Sequence, residues 1–185
     1  MEDAFSLFNL ERRPLIDEAA LKEKYLRLAA TRHPDLSGGN DEKFHLLQDA
    51  YKTLREPAAR LRHLVELEFP GGGIQSESTP HTELFMSAGS AVQAAKAVFL
   101  RSENTTTALA RALLAPDIAA ALEQVRGALQ SIQQARDQLT VRLENLDMRW
   151  PEVSPDELAD LASSYTFLLR WKSQLSEWEF RLVNG

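Results

Sequence analysis

Cysteine is absent from the 185 residues, which excludes disulfides, thiolate metal and cluster ligation, and a thiol nucleophile. An excess of base is missing as well. The chain sets 21 Lys and Arg against 27 Asp and Glu, a formal charge of -6, so holding nucleic acid or an anionic membrane by bulk electrostatics is disfavoured. No apolar run approaches the roughly 20 residues of a membrane span. The opening MEDAFSLFNLERR places acids where a signal or transit peptide places bases. A soluble, cytoplasmic chain with no nucleic-acid or membrane partner is expected. Alternating β-branched runs are lacking too, and strand signals with them.

What is there is helical periodicity. Phe5 and Phe8 share a face at i and i+3 in a short first segment. Asp17 reads as the N-cap of a helix running to about Arg32, with Leu21, Tyr25, Leu28 and Ala29 on its apolar face and Lys22, Lys24, Arg27 and Arg32 on the others. Phe44, Leu47, Tyr51 and Leu54 mark the next helix, and Pro57 opens a short one after it. The stretch EFPGGGIQSESTPHT, residues 68–82, has the proline, glycine and hydroxyl content of a linker.

Three longer seams follow that linker. The first runs from Leu84 through Ala88, Ala91, Val92 and Ala95 to Phe99. The second keeps a 3-or-4 step from Ile118 to Leu146, and a short separate helix over Thr105 to Ala115 is expected to end before Pro116. Ser154 and Pro155 read as N-cap and N1 of the third seam, which carries Leu158, Leu161, Tyr165, Leu168, Leu175, Trp178 and Leu182. The composition and pattern give an all-α, two-domain chain: residues 1–69, a linker at 70–81, and a three-helix bundle at 82–185.

One motif interrupts this pattern with purpose. In AATRHPDLSGG, residues 29–39, Pro34 disfavours the α conformation at His33. The tripeptide His33, Pro34, Asp35 becomes a corner between helices, with a base and an acid beside the cations of the preceding helix. An acid-base reading of the pair lacks a nucleophile and an oxyanion site. His33, His45, His63 and His81 match no compact ligand spacing and read as scattered surface residues, so no metal, cofactor or catalytic residue is expected.

KYLRLAATRHPD followed by KFHLLQDAYKTLREPAARLRHL resembles a J domain, the module by which co-chaperones engage DnaK-type ATPases. Its place ahead of a linker and a helical domain makes the whole chain similar to the HscB (Jac) family of iron–sulfur cluster assembly. The resemblance implies an antiparallel helical hairpin with two short helices, then a C-terminal three-helix bundle. It implies that His33, Pro34 and Asp35, with Lys22, Tyr25, Arg27 and Arg32, meet a DnaK/HscA-type chaperone. It also implies that Phe85, Met86 and Phe167 bind a client, the cluster scaffold protein.

Leu26, Thr31 and Leu36 stand where many J domains carry Lys or Arg, and Gly89, Ser90, Gln93 and Ala97 where the family places leucine and glutamates. Two other readings are a J-domain protein with a different client or a regulatory role, and a helical self-association protein whose Ile118–Leu146 seam pairs between chains.

Overall fold

The computed structural model describes residues 3–32, 41–71 and 81–184. Among these, seven helices and no strand occur: α1 (Ala4–Leu7), α2 (Glu18–Arg32), α3 (Asp41–Arg55), α4 (Pro57–Glu68), α5 (Thr82–Glu103), α6 (Ala108–Met148) and α7 (Pro155–Asn184). They gather into two compact units, Met1–Ser76 with Thr140–Tyr165, and Glu77–Leu139 with Thr166–Gly185. The long helices α6 and α7 contribute to both.

In the first unit the apolar faces close on one core. Phe5, Phe8, Leu21, Leu47, Leu54 and Leu64 are buried, and Tyr25, Leu28, Ala29 and Tyr51 pack against them. The helix starts are set by local chemistry. Asp3 Oδ1 accepts from the amides of Phe5 (2.9 Å) and Ser6 (3.1 Å) to open α1, and Asp17 Oδ1 accepts from Ala19 (2.9 Å) and Ala20 (3.0 Å) to open α2. Asp3 also receives Arg12 at 2.7 Å. Burial alone would raise the Asp3 carboxyl, but the hydrogen bonds from Arg12 and Ser6 outweigh it and hold the group well below the ordinary carboxylate range.

Two charged side chains in this unit are buried. Arg60, 2% exposed, donates from Nε to the carbonyl of Pro14 (2.8 Å) and from Nη1 to that of Leu54 (2.6 Å). It therefore ties the loop before α2 to the end of α3. Burial pulls its guanidinium below the ordinary arginine value, opposed by the charges of Glu18, Glu56 and Asp147 among others. Asp147, near the end of α6, accepts from Arg13 through both oxygens and from the Leu15 amide at 2.9 Å. The same loop is thus held from two sides.

His63 corrects the reading of four scattered surface histidines. Its Nε2 accepts from the Ala4 amide at 3.3 Å and its ring stacks on Phe5 with centroids 5.9 Å apart, so it completes the start of α1.

In the second unit the small residues Ala88, Ala91 and Ala95 of α5 and Ala121, Ala128 and Ala135 of α6 are buried together with Val125, Ile132, Leu168 and Leu175. Short side chains at the contact allow helices to approach closely. The expected helix over Thr105 to Ala115 with a break at Pro116 is not formed. Pro116 instead lies inside α6. The proline forfeits one backbone bond, but Leu114, Ile118, Ala121 and Val125 keep one inward stripe through it, and burial on both sides offsets the loss. The α6 seam from Val125 to Leu146 is buried by the chain itself, which removes the pairing between chains as an account of that seam.

Candidate functional site

The first surface lies on α2. Lys22 and Arg27 are exposed on it, while the Tyr25 ring is taken up by the hairpin, stacked on Tyr51 of α3 with centroids 4.2 Å apart. Arg27 donates to Glu23 one turn earlier at 2.7 Å, both side chains being exposed. Lys24 does not join this face. Its Nζ donates to the carbonyls of Phe8 (3.1 Å) and Asn9 (2.9 Å), closing the end of α1. Leu26 is 55% exposed, so an apolar side chain sits in the middle of the cationic face. Arg32 closes α2, but its side chain, and His33, Pro34 and Asp35 entirely, lie outside the described residues.

The second surface lies in the other unit, where α5 meets α7. Phe85 is 50% and Met86 65% exposed. Phe85 packs edge-on against Trp171 with centroids 5.6 Å apart, Trp171 meets Phe167 at 6.4 Å, and Phe167 stacks on His81 at 5.9 Å. Phe85 and Phe167 are therefore brought together by a tryptophan that α7 places one turn beyond Phe167. Met86 follows Phe85 directly on α5 and extends the apolar surface into solvent. A second layer lies along the same two helices, with Phe99 against Trp178 at 5.9 Å and Arg181 over the Trp178 ring at 5.1 Å.

Trp171 and Trp178 read as packing residues in the sequence, because spacing along α7 shows only that they share a face. Their place at this partly exposed seam depends on the register of α5 against α7, for which no local signal exists.

Residues 3–63 match the DnaJ domain family. Over 91 residues the chain is 33% identical to the co-chaperone protein HscB homolog of Chromobacterium violaceum, and over 94 residues 34% identical to that of Cupriavidus taiwanensis. The first third of the chain is thus similar to J domains, and the relatives it matches are HscB co-chaperones. The matches cover 45% and 46% of the chain and 50% and 52% of those relatives, so it spans about half the length of the HscB homologs it matches. The chaperone HscB from Vibrio cholerae has the same fold, with a TM-score of 0.55 at 18% identity over 97% of this chain and 99% of that one.

Proposed function

We propose that the chain is a co-chaperone which stimulates ATP hydrolysis by a DnaK/HscA-type chaperone and delivers a client to it, the client being the iron–sulfur cluster scaffold protein. One observation carries the reading. The DnaJ match at residues 3–63 coincides with a hairpin whose α2 face offers Lys22 and Arg27 directly ahead of His33, Pro34 and Asp35 in the sequence. In this reading residues 1–69 dock on the ATP-bound chaperone, residues 70–81 link, and residues 82–185 hold the client at Phe85, Met86 and Phe167. Arg27 and Arg32 supply charge, Asp35 offers a carboxylate to a partner arginine, and hydrolysis belongs to the partner. The cytoplasm is the compartment that suits such a pair. No helix among the described residues is long and apolar enough to cross a membrane.

Steady-state ATPase of a matched DnaK-type chaperone is expected to rise on adding this protein. His33→Gln or Asp35→Asn is expected to remove the rise and leave helicity and melting unchanged. Equal stimulation by wild type and variants defeats the reading.

A second reading keeps the J domain and changes the client. It is favoured by the uncharged residues Gly89, Ser90, Gln93 and Ala97 on α5. A pull-down with the cluster scaffold separates the two, since the first requires capture by wild type that Phe85→Ala with Phe167→Ala abolishes.

A further inference from the structure

The exposed charges of α2 cancel. Glu18 and Glu23 stand against Lys22 and Arg27, and all four side chains are exposed, so together they sum to zero. For Arg27 the pairing is direct, since it donates to Glu23 one turn earlier. Lys24, the other described cation of the helix, directs its Nζ at the carbonyls of Phe8 and Asn9, so its donors meet the end of α1 and not a partner. A face composed in this way draws an acidic surface weakly, and salt has little on it to screen.

Leu26 stands in the middle of that face. Residues three and four positions away are neighbours on a helix surface, and for Leu26 these are Lys22, Glu23, Ala29 and Ala30. A base and an acid lie toward the helix start, and two alanines lie toward its end. Leu26 is 55% exposed and Ala30 is exposed as well. An apolar strip therefore leads along α2 from Leu26 to Ala30, which precedes His33 by three residues in the sequence. A lone exposed leucine is ordinary on a protein surface. This one is the large apolar side chain that α2 leaves in solvent, on the face given above to the chaperone.

Covering an exposed leucine with an apolar group is favourable, whereas covering it with a carboxylate strips that charge of water without giving it a partner. We infer that Leu26 is a specificity-determining residue of the chaperone interface. With Ala30 it fits a DnaK/HscA-type partner that presents an apolar side chain, and not a carboxylate, opposite this point of α2, and apolar contact contributes more to the docking than charge does. This rests on the chaperone-docking reading above and specifies the surface that α2 meets.

The test follows the steady-state ATPase of the DnaK/HscA-type chaperone of the same genome against increasing concentrations of this protein, comparing wild type with Leu26→Gln and Leu26→Lys. Glutamine and lysine favour helix about as well as leucine and the position is exposed, so all three proteins are expected to melt alike. The concentration that gives half-maximal stimulation is read separately from the maximum reached. Leu26→Gln is expected to raise that concentration about five- to tenfold and to leave the maximum unchanged, the size that burying much of one leucine accounts for. Leu26→Lys is expected to raise it at least as much. The wild-type value is expected to change less than about twofold between about 0.1 and about 0.3 M potassium chloride, because apolar contact is not screened. A value that Leu26→Gln leaves unchanged, that Leu26→Lys fails to raise, or that climbs steeply with salt in wild type overturns the inference while leaving the co-chaperone reading intact. Absence of stimulation by wild type overturns that reading and the inference with it.

Discussion

Arg60 is a long charged side chain in a buried position, and it is tolerated because both carbonyls it meets need a donor. Removing it by Arg60→Ala leaves the oxygens of Pro14 and Leu54 unsatisfied and opens a cavity. Urea unfolding is expected to show a loss of about 3 kcal/mol or more. Arg60→Lys is expected to recover only part of this, because one ammonium cannot span two carbonyls that the planar guanidinium reaches with separate nitrogens.

Asp3 supplies a test of sign. Its folded-state value is depressed, so its charge adds stability above the ordinary carboxylate range, and that stability is lost as pH falls toward the depressed value. Asp3→Asn keeps a capping oxygen and isolates the charge. The variant is expected to melt below wild type at neutral pH, with the gap closing as pH drops below about 4. A constant gap across that range would place the effect elsewhere than in the carboxylate.

At the scale of elements, α6 is the unusual one, 41 residues with a proline inside. Its continuity is a contest between one missing backbone bond and the burial of a stripe that continues past it. Pro116→Ala restores the donor and removes the ring, and a rise in melting temperature equivalent to about 1–3 kcal/mol is expected. If the proline instead served a needed bend, the same substitution would lower the melting temperature. The α7 start behaves more simply. Ser154 Oγ accepts from the Glu157 amide at 3.2 Å while Glu157 Oε2 accepts from the Ser154 amide at 3.2 Å, a reciprocal cap whose loss in Ser154→Ala is expected to cost about 1 kcal/mol.

For the whole molecule, the compact unit that holds the J domain also takes in Thr140–Tyr165. Asp147 from that stretch holds Arg13 and Leu15, and Trp150 packs on the J-domain core. A fragment of residues 1–71 lacks both, leaving the Leu15 amide and Arg13 without their acceptor. It is expected to melt below the corresponding transition of the full chain, and Asp147→Ala in the full chain to reproduce about 2–3 kcal/mol of that loss. On the proposed function, two interfaces on one chain make the meeting of client and chaperone an intramolecular event.

The sequence by itself determined the helices apart from the course of α6 through Pro116, their caps at Asp17 and Ser154, the resemblance to a J domain and the aromatic residues available for binding. Each of these is written within a few residues, in periodicity, capping chemistry or a local motif. Tertiary structure decided the rest. It withdrew Lys24 into the end of α1, paired Arg27 with Glu23, buried Arg60, carried α6 through Pro116 and gathered Phe85, Phe167 and Trp171 into one partly exposed cluster. Of these, only the pairing of Arg27 with Glu23 lies within one turn of helix; the others depend on which helix faces which and at what register. Burial over a whole face sets that register, and no stretch of a few residues records it.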